Sequence, residues 1–226
     1  MASHAPSRLT DSTDNVASHR IAETLRSAIL DGRYRPGERI RQEEVAARSG
    51  ASRIPVREAL RMLASDGLVT LVANTGAWVT KLSLDECVET YLIRERLEPL
   101  LLRASLPNLD QAAVGRLELL IESMEAPGAS VTEFLRADRE FHLSSYAGAP
   151  PGETAQIIGR MWNTTQHYRR EFSKLAHGTG LGVTHLEHRL LLDCIRRRDP
   201  DDAERVLVMH IRRTRLALEQ HKELFS

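Results

Sequence analysis

The sequence predicts a mostly α-helical chain: an N-terminal winged helix-turn-helix followed by a larger C-terminal all-α helical bundle. Three observations lead there. Two helical segments meet at the short turn Ser49-Gly50-Ala51. Two β-prone runs flank Asn74-Thr75-Gly76 soon afterwards. From Leu84 onward strand patterning vanishes, and helical stretches alternate with Pro- and Gly-containing breakers.

The 226 residues, 42% of them hydrophobic, suffice for one large domain or two small ones. No apolar run approaches the roughly 18–20 residues of a membrane span. The opening MASHAPSRLTDSTDN lacks an apolar signal core. Cys87 and Cys194 form no CxxC pair and read as buried thiols. A cytoplasmic protein without a membrane partner is expected. The formal net charge is zero, which argues against a uniformly basic nucleic-acid binder. The distribution is uneven, however. Between Arg33 and Arg61 eight arginines stand against four acids, enough for a local positive face.

Residues 1–15 are polar and aperiodic and are expected to be disordered. The first domain is placed at 16–82. Its opening helix carries Ile21, Leu25, Ala28 and Ile29 on one face and stops at Gly32. Pro36-Gly37 marks a turn, and a short helix from about Arg41 to Arg48 turns Val45 and Ala46 inward. After the turn, Ser52 is expected to cap the next helix through its hydroxyl. Pro55 is tolerated in the first turn, and Asp66-Gly67 ends the helix. This second helix has an apolar side, Val56, Ala59, Leu60 and Leu63, and an arginine side, Arg53, Arg57 and Arg61. Such a helix enters the DNA major groove by its N-terminal end, where Arg53 and Arg57 stand one turn apart. Arginine suits bidentate contact with guanine or phosphate. The following hairpin reads as a wing.

Gly32-x-x-x-Pro36-Gly37, Ser52-Arg53-x-Pro55-Val56-Arg57-Glu58-Ala59-Leu60-Arg61-x-Leu63 and Gly67-Leu68 resemble the winged-helix domain of the GntR superfamily of bacterial transcription regulators. The resemblance implies that Ser52, Arg53 and Arg57 contact operator DNA, with the wing near Gly76 adding a minor-groove or backbone contact. Arg61 continues the same basic face. Some members of the superfamily place an arginine where this chain has Glu43, and Arg41 is the nearest substitute.

The second domain, 83–226, is expected to contain six helices, at about 84–106, 110–126, 130–147, 153–177, 181–198 and 200–223. Its chemistry lies in histidines. Asp138 and His142 are spaced i, i+4 and project from one helix face. His188 and His210 lie on the last two helices. An Asp and three His converging in a bundle would suit a divalent transition metal. His167, His177, His185 and His221 compete for the same role on sequence grounds. No Glu-x-x-His, nucleophile elbow, P-loop or His-Glu-x-x-His is present. An enzyme is therefore not expected; the alternative reading is a helical-bundle metalloenzyme with an appended DNA-binding-like domain.

Asp138-x-x-x-His142, Glu187-His188-Arg189-x-x-Leu192-x-x-Ile195-x-x-x-Asp199 and Ala203 leading to His210 resemble the FCD ligand-binding domain of the FadR branch of that superfamily. Six helices suggest its VanR-type version. The resemblance implies a Zn or Ni ion held by Asp138, His142, His188 and His210. The Gly-rich segment Gly178–Thr184 departs from the family pattern. Arg94-Glu95-Arg96-Leu97-Glu98 is similar to the family's Arg-x-x-Leu-Glu segment, which puts Arg94 in the pocket beside the metal. Metal and arginine together suit a small organic acid as effector. The other reading of Arg94 is a surface salt bridge with Glu98. A homodimer on operator DNA is expected, because pairing two half-sites supplies the specificity that one helix lacks.

Overall fold

The computed structural model describes residues 8–73, 75–176 and 181–225. The chain divides at Lys81–Leu82 into two compact units. Among the described residues no helix is long and apolar enough to cross a membrane.

In the first unit, helix α1 spans Arg8–Leu30, strand β1 Arg39–Ile40, α2 Gln42–Ser49, α3 Arg53–Ser65, β2 Val69–Val72 and β3 Gly76–Val79. Helix α1 begins at Arg8, so the disorder expected for residues 1–15 is corrected from Arg8 onward. Residues 1–7 lie outside the described residues. Periodicity misses this helical end because TDSTDN has no apolar stripe. Once a helix exists at Val16, extending it costs little, since each added residue gains a hydrogen bond. The Val56, Ala59, Leu60 and Leu63 face of α3 is buried, packed with Ile21 and Leu25 of α1 and Val45 of α2.

The strands form an antiparallel sheet in the order β1-β3-β2. The hairpin was legible in sequence; two-residue β1 was too short to be. Asn74 of the expected turn lies outside the described residues. Ser52 occupies the N-cap position with an extended backbone, but its hydroxyl makes no capping bond. The reason is local. A capping oxygen bonds the N–H of the second or third helical residue, and Pro55, the third here, has none, so only the N–H of Ile54 remains.

The second unit contains α4 (Leu84–Ser105), a 3-10 turn (Leu106–Asn108), α5 (Gln111–Glu125), α6 (Val131–Ser145), α7 (Glu153–Ala176), α8 (Gly182–Arg197), α9 (Pro200–Gln220) and a final 3-10 turn (Lys222–Phe225). Polar caps set the starts. Ser83 with Glu86, and Ser130 with Glu133, form reciprocal capping boxes. Asp110 and Asp199 accept from the backbone of α5 and α9. Helix α4 lies along α9 and α7, α5 along α6 and α8, and α8 along α9. Phe141, Trp162, Leu102, Leu117 and Leu207 fill the core.

One close approach pins the end of α4 to the loop after α6. Gly148 N–H donates to Ser105 Oγ at 2.9 Å, and Asn108 donates to the Gly148 carbonyl at 2.8 Å. A Cβ at position 148 would stand 2.5 Å from the Ser105 carbonyl oxygen. Gly148→Ala is therefore expected to cost about 1–3 kcal/mol of stability through overpacking, read as a shifted denaturation midpoint with an unchanged slope.

Candidate metal centre and DNA-reading face

Helix α6 presents Asp138 and His142, α8 presents His188, and α9 presents His210. Their ligating atoms all lie within 4.8 Å of one another, and all four residues are buried. His188 Nε2 is 3.2 Å from His142 Nε2 and 3.2 Å from Asp138 Oδ1. The His142 and His210 rings stack with centroids 5.0 Å apart. Three imidazole nitrogens and one carboxylate oxygen form a donor set that fits a divalent transition metal. The outer contacts agree with that fit. His210 Nδ1 lies 2.8 Å from Glu187 Oε2, which leaves Nε2 for the centre. Glu187 is held in turn by Arg213. His142 Nδ1 is 3.5 Å from the Tyr146 hydroxyl, which donates to Glu98 at 2.6 Å.

Burial is the largest influence on these imidazoles. It drives His188 down to about 3 and His210 to about 4, and holds His142 well below its ordinary value. Neighbouring histidines reinforce the shift on His142 and His210. The rings are therefore neutral at neutral pH, the form that binds metal. The competing histidines are elsewhere. His221 pairs with Glu223, His167 packs on Tyr168, and His185 meets Phe134 edge-on. His177 lies outside the described residues, as do residues 178–180 of the Gly-rich segment.

Beside Asp138 and His210 lies a cavity of about 40 Å³, walled by Arg94, Arg169, Tyr91 and Trp162. That is room for about three waters or one carboxylate-sized group. Arg94 unites the two sequence readings. It pairs with Glu98 one turn on, yet the pair is buried against the cavity instead of exposed. Burial works against the Arg94 charge, and Glu98, with Tyr91 and Tyr146, more than offsets it, raising the guanidinium pKa. The Trp162 ring centre lies 4.4 Å from the Arg94 guanidinium carbon and 4.0 Å from that of Arg169. Arg169 also ion-pairs with Asp138. Sequence reasoning missed Arg169, Trp162 and Tyr146, and quoted Glu187 in the motif around His188 without giving it a role. Tyr146 stands one turn after His142 and Glu187 directly before His188, but their contacts with Glu98 and His210, like those of Arg169 and Trp162, are made between helices. One more link leaves the cavity wall. Tyr168, adjacent to Arg169 on α7, accepts from Leu82 N–H at 2.6 Å and donates to the Leu82 carbonyl at 2.8 Å.

In the first unit, Ser52, Arg53, Arg57 and Arg61 are all exposed on α3. Arg53 lies 3.6 Å from Glu43, Arg61 3.3 Å from Glu58, and Arg41 3.3 Å from Glu44. Gly76 opens β3 with φ +117°. Ile54, at the N-terminal end of α3, is 68% exposed, too much for a core residue.

A winged helix-turn-helix with an exposed arginine helix, joined to a separate helical bundle, defines a DNA-binding regulator. The chain belongs to the GntR family of bacterial transcription regulators, and its second half is an FCD effector-binding domain. The family model "Bacterial regulatory proteins, gntR family" matches residues 17–79, and "FCD domain" matches 89–213. The probable D-xylose utilization operon transcriptional repressor of Paenarthrobacter nicotinovorans is 32% identical over 90% of this chain and 88% of its own. The uncharacterized HTH-type transcriptional regulator YdhC of Bacillus subtilis is 35% identical, over 52% of this chain and about half (54%) of its own length. The solved structure of E. coli McbR/YncC shares the fold, with a TM-score of 0.79 at 22% identity over 91% of this chain and 98% of that one. The two curated relatives are named as transcription regulators, and the metalloenzyme alternative is set aside accordingly.

The buried imidazoles make the metal-free protein sensitive to acid. Unfolded histidines titrate near 6.5, whereas the folded values are depressed. Below about pH 6.5 the unfolded chain binds protons that the folded chain does not, so stability falls as pH falls. The slope is at most about 1.4 kcal/mol per pH unit for each histidine. Chelator-treated protein should melt at progressively lower temperature from pH 7 to pH 5; a constant melting temperature would count against the depressed values.

Proposed function

We propose that the protein is a metal-dependent transcription regulator whose operator affinity is set by a small organic acid bound beside the metal. The observation that carries this is the convergence of Asp138, His142, His188 and His210 next to a cavity walled by Arg94 and Arg169. A Zn or Ni ion there would supply a Lewis-acidic anchor for an anionic group. The chain's own residues do the rest. Glu187 orients His210, Arg169 sets Asp138, and Arg94 places a second positive charge where a carboxylate would lie. The cavity volume favours a compact acid over a bulky one.

The working form is a cytoplasmic homodimer on a pseudo-palindromic operator. One recognition helix reads only a few base pairs, and a two-fold dimer doubles them. Ser52, whose hydroxyl is not spent on a cap, is free to meet a phosphate. Arg53 and Arg57 reach for bases or phosphates, Arg41 and Arg61 extend the positive face, and Gly76 lets the wing backbone come close. Ile54 suits the methyl group of a thymine. Effector binding changes DNA affinity only if it favours one arrangement of the paired DNA-binding domains. Helix α7 offers a path, since it carries Trp162 and Arg169 at the cavity and Tyr168 at Leu82, where the second unit begins.

Three measurements test this. Arg57→Ala should weaken operator binding by about 1–3 kcal/mol if Arg57 reads a guanine, seen in binding curves against a duplex selected in vitro; unchanged affinity and salt dependence on loss of both Arg53 and Arg57 would overturn the reading of α3. His188→Ala and His210→Ala should lose most bound metal by elemental analysis, and full occupancy in both would remove these residues from the site. Arg94→Ala should keep its metal and its effector-free DNA binding while losing the response to candidate acids. A response that survives metal removal would exclude the metal as the effector's anchor.

A further inference from the structure

Between α3 and the β2–β3 hairpin runs a cleft of about 470 Å³. Arg39, Arg41, Arg57 and Arg61 line it, together with Glu43 and Gly76. Most of these charges are already answered. Arg41 lies beside Glu44, Arg61 beside Glu58, and Glu43 beside Arg53. Among the described residues, Arg39 and Arg57 have no ion-pair partner.

Arg39 also sits in a prepared seat. It lies on the edge strand β1, opposite Trp78 of β3. Its guanidinium carbon is 5.7 Å from the centre of the Trp78 ring. Its Nε is 3.5 Å from the point where a Cβ on residue 76 would stand. With φ at +117°, position 76 strongly favours glycine, which leaves the guanidinium room beside the wing. The Trp78 indole N–H donates to Thr75 Oγ1 at 3.4 Å, and that hydroxyl donates to the Val72 carbonyl at 3.3 Å. These bonds tie the Trp78 ring to the turn of the wing. A guanidinium held over an indole ring has lost part of its freedom before any ligand arrives, which lowers the cost of ordering it on binding.

A recognition helix in the major groove and a wing at the adjacent minor groove stand on either side of one sugar-phosphate strand. The cleft between them is where that strand must pass. We propose that Arg39 is a phosphate clamp: its guanidinium holds a backbone phosphate on the ridge between the two grooves and fixes the register of α3 on the DNA. The contact positions the protein and reads no base. It rests on the DNA-binding domain alone and is independent of the metal and the effector.

The test uses the full-length Arg39→Ala and Arg39→Lys proteins. Their binding to a labelled random-sequence duplex, and to a duplex selected in vitro with the unaltered protein, is followed between about 50 and 200 mM KCl. For Arg39→Ala, affinity should fall by the same factor on both duplexes. The slope of log K against log[KCl] should be shallower by about 0.9 for each protomer bound. Arg39→Lys, which keeps the charge, should recover most of that slope. Thermal melting of both variants should match the parent, showing that the wing still folds. An unchanged salt slope in a folded Arg39→Ala protein would overturn the clamp. So would a loss confined to the selected duplex, because that is the signature of base reading. If Arg39→Ala melts early, the comparison passes to Arg39→Lys and a folded Arg39→Gln: equal salt slopes in the two would likewise overturn it.

Discussion

The second unit is organised around the need to hold ionisable groups in a core that excludes water. Asp138, His142, His188, His210, Arg94, Glu98, Arg169 and Glu187 are all buried. Moving such charges out of water costs several kcal/mol each unless they are paired. Every charged member of this group has an answer. Glu98 takes Arg94 and Tyr146, Arg169 takes Asp138, and Glu187 takes His210 and Arg213. The imidazoles answer differently, by remaining neutral. The helices cannot shift much without breaking one of these pairs, so α4, α6, α7, α8 and α9 are held in register by a polar centre as much as by the apolar core around it.

The first unit solves the opposite problem. Its core is apolar, built from residues such as Ile21, Val45, Val56, Leu60 and Leu63, and its charges remain in water. The pairs that Arg41, Arg53 and Arg61 make with nearby glutamates are exposed, and exposed pairs contribute little stability. DNA phosphates can replace those glutamates at small cost. Arg39 and Arg57 need no exchange at all. The same residue type thus does structural duty when buried in the bundle and stays available for a partner on the winged helix.

Helix α7 links the polar centre to the start of the second unit. Trp162 and Arg169 face the cavity, while Tyr168, one residue on the N-terminal side of Arg169, grips both backbone groups of Leu82 and stacks on Phe225 at 4.5 Å. Neighbouring residues on a helix point about 100° apart. A single helix can therefore wall the cavity on one side and fasten the chain entering the unit on another.

By itself, the sequence determined most of the helices, the hairpin and one pair of the clustered residues. The apolar stripe of α3, the hairpin, and the breakers Pro107-Asn108, Pro127-Gly128 and Asp199-Pro200 act within a few residues, so local patterning reveals them. Asp138 and His142 were legible as a pair because one helical turn separates them. Their convergence with His188 and His210 was implied by resemblance and not by spacing, since those residues lie on other helices. Tertiary structure alone brought Glu187 to His210, Arg169 to Asp138, and Glu98 to both Arg94 and Tyr146. It also removed Arg94 from the surface where an i, i+4 pair usually sits, made β1 from two residues, and laid Arg39 against Trp78. The reason is the same in each case. Such contacts depend on which faces of distant elements pack together, and a side chain's neighbours along the chain carry no record of that.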